Sequence, residues 1–97
     1  MARLYVYYPR HEGHTFDREY YLGTHMTVVN DAWGPHGLKS ADVSWPYDDA
    51  QPFACMVALN FDEQGQIDKA LAAPETPGVL ADVAKFTDIQ PAIYRAD

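Results

Sequence analysis

The segment Phe53-Ala54-Cys55-Met56-Val57-Ala58-Leu59-Asn60-Phe61 limits what this chain can fold into more than any other. It is rich in aromatic and aliphatic residues and follows a loop closed by Pro52, so it reads as a strand. Phe53, Cys55, Val57, Leu59 and Phe61 alternate onto one face, but Ala54, Met56 and Ala58 make the other face apolar as well. A strand of that kind is covered on both sides. With 97 residues the chain makes one domain, 1–97, whose single helical layer covers one face of a sheet. A second subunit is the natural cover for the other face, so the sequence predicts a homodimer.

Composition points the same way. Hydrophobic residues make up 47% of the chain, with seven Tyr, four Phe and two Trp. A folded monomer of this length buries only about 60–70% of its unfolded-chain surface, so part of that apolar load is expected in an interface or a ligand pocket. The formal charge is −7, and Arg3, Arg10, Arg18, Lys39, Lys69, Lys85 and Arg95 form no basic stripe. The phosphate contacts of a nucleic-acid partner are therefore not provided for, and an anionic membrane surface is disfavoured too. Cys55 is alone, which excludes an intrachain disulfide or a cysteine zinc site. No stretch approaches 20 apolar residues and no signal pattern precedes the first strand, so the expected location is cytoplasmic.

Arg3 to Tyr8 predicts a first strand ended by Pro9, with Leu4, Val6 and Tyr8 on one face and Arg3, Tyr5 and Tyr7 on the other. Thr15 is a candidate cap for a helix over Phe16–Trp33 with Asp17 and Glu19 in its first turn. Helical period sets Leu22, Met26, Val29 and Trp33 in one row and Tyr21, His25, Val28 and Ala32 in the next. Phe16 and Tyr20 fall out of phase with both rows, and a bend between the halves is expected at Gly23. Gly34-Pro35-His36-Gly37 stops the helix. A half-exposed strand is expected over Leu38–Trp45, a loop over Pro46–Pro52, and a second helix from a cap at Asp62 to about Ala73. A helical turn over Gly78–Lys85 and a last strand over Thr87–Tyr94, with Pro91 marking an edge or bulge, complete the chain. The order β-α-β-β-α-β is the α+β arrangement called ferredoxin-like, or split βαβ.

The run Phe16-Asp17-Arg18-Glu19-Tyr20-Tyr21-Leu22-Gly23-Thr24-His25-Met26-Thr27-Val28-Val29 resembles the signature of EthD-like proteins, in which an aromatic pair on a helix precedes a His. Trp33-Gly34-Pro35, Gly37-Leu38 and the loop around Tyr47-Asp48-Asp49 fit the same pattern, and the likeness covers nearly the whole chain. One departure stands out: the Pro-Leu that follows the family's His is here Thr27-Val28. The resemblance implies a four-stranded antiparallel sheet per subunit, two subunits joined into a dimeric α+β barrel, and a cavity between helices and sheet for small, often aromatic, molecules. Its founding member is associated with ethyl tert-butyl ether degradation in an undefined role, and its wider relatives include isomerases, monooxygenases, dehydratases and decarboxylases. Such breadth does not fix a reaction.

His25 is the leading candidate catalytic residue, because an imidazole on an apolar helix face can serve as acid or base near neutral pH. A core His bonded to a backbone carbonyl is the competing account. Tyr7, Tyr21, Trp45 and Tyr47 are candidate substrate-binding residues, able to give phenol or indole donors to a substrate oxygen, although each type is more often core or interface. His11 and His14 have a ligand-like spacing but sit in a charged loop, so no metal is expected there. Cys55 reads as an inert small hydrophobe. The favoured function is a cofactor-independent enzyme performing isomerisation, dehydration or oxygenation on a small hydrophobic or aromatic carbonyl compound. A non-catalytic ligand-binding or accessory protein is the alternative.

Overall fold

A computed structural model describes residues 1–97. Four strands form one antiparallel sheet: β1 Ala2–Pro9, β2 Ser40–Ser44, β3 Phe53–Phe61 and β4 Ala92–Ala96, in the order β2-β3-β1-β4. The first helix, α1 (18–33), has three parts. Arg18–Tyr20 and Met26–Trp33 are α-helical, and Tyr21–His25 between them is a single wide π turn. Helices α2, Gln64–Ala72, and α3, Thr76–Asp82, follow β3, and Val83–Lys85 extends α3 by a tight turn.

All three helices pack on one face of the sheet. Ala2, Leu4, Val57, Leu59 and Phe61 from the strands meet Val29 and Trp33 of α1, Ile67 and Ala70 of α2 and Val79 of α3 in the main core. Leu4, Leu59 and Ile67 are essentially inaccessible. Each such aliphatic side chain contributes about 1.5–3 kcal/mol through burial. A second, aromatic cluster of Tyr8, Tyr21, Phe86 and Ile89 continues this core at the far end of β1.

The opposite face has no helix over it. There Tyr5 pairs with Ala58 and Tyr94, and Tyr7 with Met56 and Ala92. These side chains are half-buried except Tyr94, which is exposed. Simple alternation puts Phe53 on the side of Cys55, but it joins this open face. The register of β1 against β3 shifts between Tyr8 and Pro9, and the Phe53 ring comes within 4.9 Å of Tyr7.

Three local expectations change for stated reasons. Asp17, not Thr15, caps α1, its carboxylate accepting the Tyr20 N–H at 3.0 Å, while the Thr15 N–H is taken by Asp88. Glu63, not Asp62, caps α2, in a capping box with Gln66. The last strand begins after Pro91 rather than at Thr87, because Thr87 instead bridges to Phe16 and its hydroxyl accepts the Ile89 N–H at 3.1 Å.

Phe16 lies before α1, bridged to Thr87, and the wide turn accounts for Tyr20, the other residue that helical period leaves out of phase. It closes through the Met26 N–H to the Tyr21 carbonyl and absorbs one extra residue, with Gly23 at its centre. One residue is about 100° of helical phase. Leu22, assigned to the apolar row by period, is therefore 52% exposed, while Tyr20 turns inward.

Candidate active site

The helices and the sheet enclose a cavity of about 240 Å³. Leu4, Val6, Tyr8, Val57 and Leu59 form its sheet wall, and Tyr21, His25, Met26 and Val29 of α1 form another. Leu80 of α3 and Ile93 of β4 also line it yet are 61% and 55% exposed, so it opens to solvent between α3 and β4. No Lys, Arg, Asp or Glu lies on the wall.

His25 is the one group on that wall with an ordinary pKa near neutrality, and it is buried. Its ring stacks on Tyr21 at 5.5 Å and meets Phe86 at 4.6 Å, which fixes its plane. Behind it, Asp82 at the end of α3 places Oδ2 at 2.9 Å from Nδ1 and receives the Tyr20 hydroxyl on Oδ1 at 2.7 Å. Tyr20 and His25 are five residues apart, a spacing that on a regular α-helix puts side chains about 140° apart. The π turn between them brings both to the same carboxylate, an example of a wide turn at a site of polar convergence.

The protonation states follow from these contacts. Burial works to raise the Asp82 pKa, but the Tyr20 and His25 hydrogen bonds outweigh it and hold the carboxyl below its ordinary value. Asp82 is thus an anion that only accepts, which assigns the shared proton to His25 Nδ1. Burial pushes the His25 pKa down, against the opposing pull of Asp82, so the imidazole is neutral at pH 7. Nε2 then carries the lone pair. It has no hydrogen-bond partner in the protein, and it is not sealed in, since Arg10 Nε is the sole enclosed side-chain nitrogen or oxygen without a partner. The ring nitrogen left without a partner, on a residue that lines the cavity, is a base.

Two phenols share the wall. Burial pushes both the Tyr8 and the Tyr21 pKa upward, so each keeps its proton as a hydrogen-bond donor. Tyr21 lies against Cys55, whose thiol burial pushes up to about 12, leaving it un-ionised at neutral pH. Trp33 Nε1 gives its proton to Thr76 Oγ1 at 2.9 Å, and Thr76 passes its own to the Ala70 carbonyl, so that side of the cavity is closed and satisfied.

Of the residues singled out from the sequence, His25 and Tyr21 line this cavity. Tyr7 points to the other face of the sheet, against Phe53, because strand side chains alternate and Tyr8 takes the inward position. Trp45 packs edge-on to Phe16 and Tyr21 beneath the Arg18 guanidinium at 4.6 Å, behind the cavity wall rather than on it. Tyr47 stands 92% exposed in the loop between β2 and β3. His11 and His14 each direct Nδ1 at a backbone carbonyl, and nowhere do three or more His, Cys, Asp or Glu gather as a metal would need. Sequence reasoning missed Asp82, Tyr20 and Tyr8. Asp82 had one local signal, a carboxylate set between Leu80 and Val83 on an otherwise apolar turn.

No family profile matches the sequence, and no curated protein is significantly similar to it. Solved structures are. An EthD-like protein from Ralstonia eutropha JMP134 superposes with a TM-score of 0.85 at 28% identity, over 99% of this chain and 89% of that one. The fold is that of the EthD-like proteins. An ethyl tert-butyl ether D (EthD) family protein from Bacillus halodurans C-125 shares it at a TM-score of 0.66 and 18% identity, over 95% and 96% of the two chains. So does a dimeric protein of unknown function with a ferredoxin-like fold from Bacteroides fragilis NCTC 9343, at 0.60 and 12% identity over 99% and 94%. The EthD-like architecture thus reaches from end to end of this chain. The present structure has no helix long and apolar enough to cross a membrane.

Proposed function

We propose that this EthD-like chain is a small-molecule enzyme that performs acid–base chemistry on a compact hydrophobic or aromatic carbonyl compound, using its own side chains and no cofactor. The observation that carries the reading is the His25–Asp82 pair at the apolar cavity: one imidazole nitrogen is held by a buried carboxylate, and the other is unpartnered. A core histidine with only a packing role would have no need of an anion behind it or an open space before it. Burial without ionisation costs less, and a buried carboxylate is retained at an energetic penalty that its donors must offset.

The active form in this proposal is a homodimer. Supporting it are the uncovered face bearing Tyr5, Tyr7, Met56 and Tyr94, and the dimeric Bacteroides fragilis protein of the same fold. Pairing two such faces removes the aromatic side chains from water and closes a barrel.

The test begins with a panel of small carbonyl compounds, scored by the rise in melting temperature each produces. A compound that binds is then assayed for conversion by the wild type and by His25→Ala. The proposal expects conversion by the first and loss in the second, with the fold and oligomer unchanged. Binding with no conversion by either protein would leave a carrier in place of an enzyme.

A further inference from the structure

The cavity does more than accept a hydrophobic molecule; its inventory of polar groups restricts both the charge of the ligand and the kind of proton transfer. We infer that the site takes electrically neutral ketones of one or two fused rings and moves an α-proton through a single base, His25 Nε2, with the Tyr8 phenol facing the carbonyl oxygen. This rests on the acid–base reading above and selects among the reactions it allows.

Charge is decided by what surrounds the cavity. Its wall has no cation, and the Asp82 carboxylate stands directly behind His25. An anionic ligand would enter an apolar enclosure with no counter-ion and a like charge beside it, which burial penalises heavily. A cationic ligand would meet Asp82 only across the imidazole that already satisfies it. A neutral molecule meets neither penalty.

Size follows from volume. A dry cavity of roughly 150 Å³ lined by aliphatic and aromatic side chains holds one benzene ring. The 240 Å³ here leaves room for a second small ring or a few further carbons.

The reaction is decided by counting groups that can give or take a proton. On the wall these are His25, Tyr8 and Tyr21, and burial keeps both phenols protonated. Dehydration would need a ligand bearing a β-hydroxyl as leaving group, and oxygenation would need an oxidant. A transfer that begins and ends on one base needs neither. The Nε2 lone pair takes the α-proton, the C–H electron pair becomes the C–C π bond, and the carbonyl π pair moves onto oxygen. That oxygen is met by the Tyr8 hydroxyl, which has no hydrogen-bond partner in the protein and is not enclosed. The imidazolium so formed is stabilised by Asp82 at 2.9 Å. Return of the proton to the same carbon restores the ketone; return to a conjugated γ-carbon isomerises an unsaturated one. Either way the proton, electrons and atoms balance within the protein–ligand pair.

Asp82 is a positioning residue in this scheme, since it acts through His25. The titratable groups around His25 are Tyr20 and Tyr21 on its own helix, Tyr8 from β1, Cys55 of β3 beyond Tyr21, and Asp82 and Lys85 from α3 and the turn after it.

The experiment follows hydrogen–deuterium exchange at the α-carbon of α-tetralone and cyclohexanone in deuterium oxide by proton NMR, with a carboxylated tetralone as the charged probe and melting temperature as the separate readout of binding. The wild type is expected to accelerate exchange of at least one neutral ketone by about a hundredfold or more over buffer, the usual span of a positioned base, and to leave the carboxylate at the buffer rate. His25→Gln should lose that acceleration. Asp82→Asn should lower it and move the acid limb of the pH profile to lower pH, because the anion that favours the imidazolium is gone; a merely structural Asp82 would lower the rate without moving the limb. Ketones that bind but exchange at the buffer rate would overturn the inference and leave the binding site standing. A carboxylate that binds and exchanges as well as its neutral parent would overturn the charge restriction. If no probe binds, the cavity is not a ligand site, and the acid–base reading falls together with the inference.

Discussion

His25 and Asp82 lie 57 positions apart in the sequence and 2.9 Å apart in the fold, imidazole Nδ1 to carboxylate Oδ2. One sits at the end of a π turn in the first helix, the other at the last residue of the third. Their contact joins the two helices over the cavity, so the chemistry of the site and the seating of α3 depend on the same bond.

The pair makes stability pH-dependent in a defined direction. Burial depresses the His25 pKa below its ordinary 6.5, so between that value and the lower native one the unfolded chain binds more protons than the folded chain. Stability is then full above about pH 6.5 and falls as the pH drops through that window, each unit of depression corresponding to about 1.4 kcal/mol. Asp82, also depressed, from 3.8, adds a second loss at lower pH as its carboxylate protonates. Urea midpoints measured from pH 8 to pH 4 should fall steadily with acid, and His25→Gln should remove the upper part of that fall. A midpoint that rises on acidification would contradict the assignment.

Tyr20→Phe removes the donor to Asp82 Oδ1 while leaving His25 on Oδ2. Since the Tyr20 hydrogen bond is among the contacts holding the carboxyl down, the Asp82 pKa should move up toward its ordinary value. Carbon NMR titration of the side-chain carboxyl follows this directly. An unchanged titration would mean that Tyr20 does not reach the carboxylate in solution.

Thr76 stands between the Trp33 indole and the Ala70 carbonyl, fully buried at the start of α3. Thr76→Val keeps the shape but leaves the Trp33 N–H without a partner, at a cost of about 1–3 kcal/mol. Chemical denaturation should show that loss. A variant as stable as the wild type would indicate that water replaces the hydroxyl.

On the open face of the sheet, Met56 lies opposite Tyr7 and beside Ser44. Met56→Asp places a charge in the centre of the proposed subunit interface and touches none of the helix-side core. Analytical ultracentrifugation should give twice the subunit mass for the wild type and the subunit mass for the variant. A wild-type protein that sediments as a monomer would remove the pairing.

Most of the fold was legible because it rests on periodicity. The two-faced apolar strand at 53–61, the alternation of Leu4, Val6 and Tyr8, and the Pro and Gly stops all speak locally, and they lead to the β-α-β-β-α-β frame, to which the structure adds α3 before the last strand. Helical period also put His25 on the inward side of α1. What stayed hidden was non-local or irregular. A π turn breaks the very period that assigns faces, so helical period puts Leu22 inward and gives Tyr20 no face. A bulge in β3, where Ala54 is passed over between Cys55 opposite Tyr8 and Phe53 opposite Pro9, carries Phe53 across the sheet. Nothing near Asp82 announces a partner in a helix that ended about fifty residues earlier, and without that partner the histidine's two nitrogens could not be told apart.

The central claim is that His25 presents an unprotonated Nε2 to the cavity while Nδ1–H is held by Asp82. Nitrogen-15 NMR of the histidine side chains at pH 7 reports this most directly. The expected result is a His25 ring with a protonated Nδ1 and an unprotonated Nε2, titrating only below pH 6.5. A ring in the opposite tautomer, or one titrating freely at the ordinary value, would contradict it.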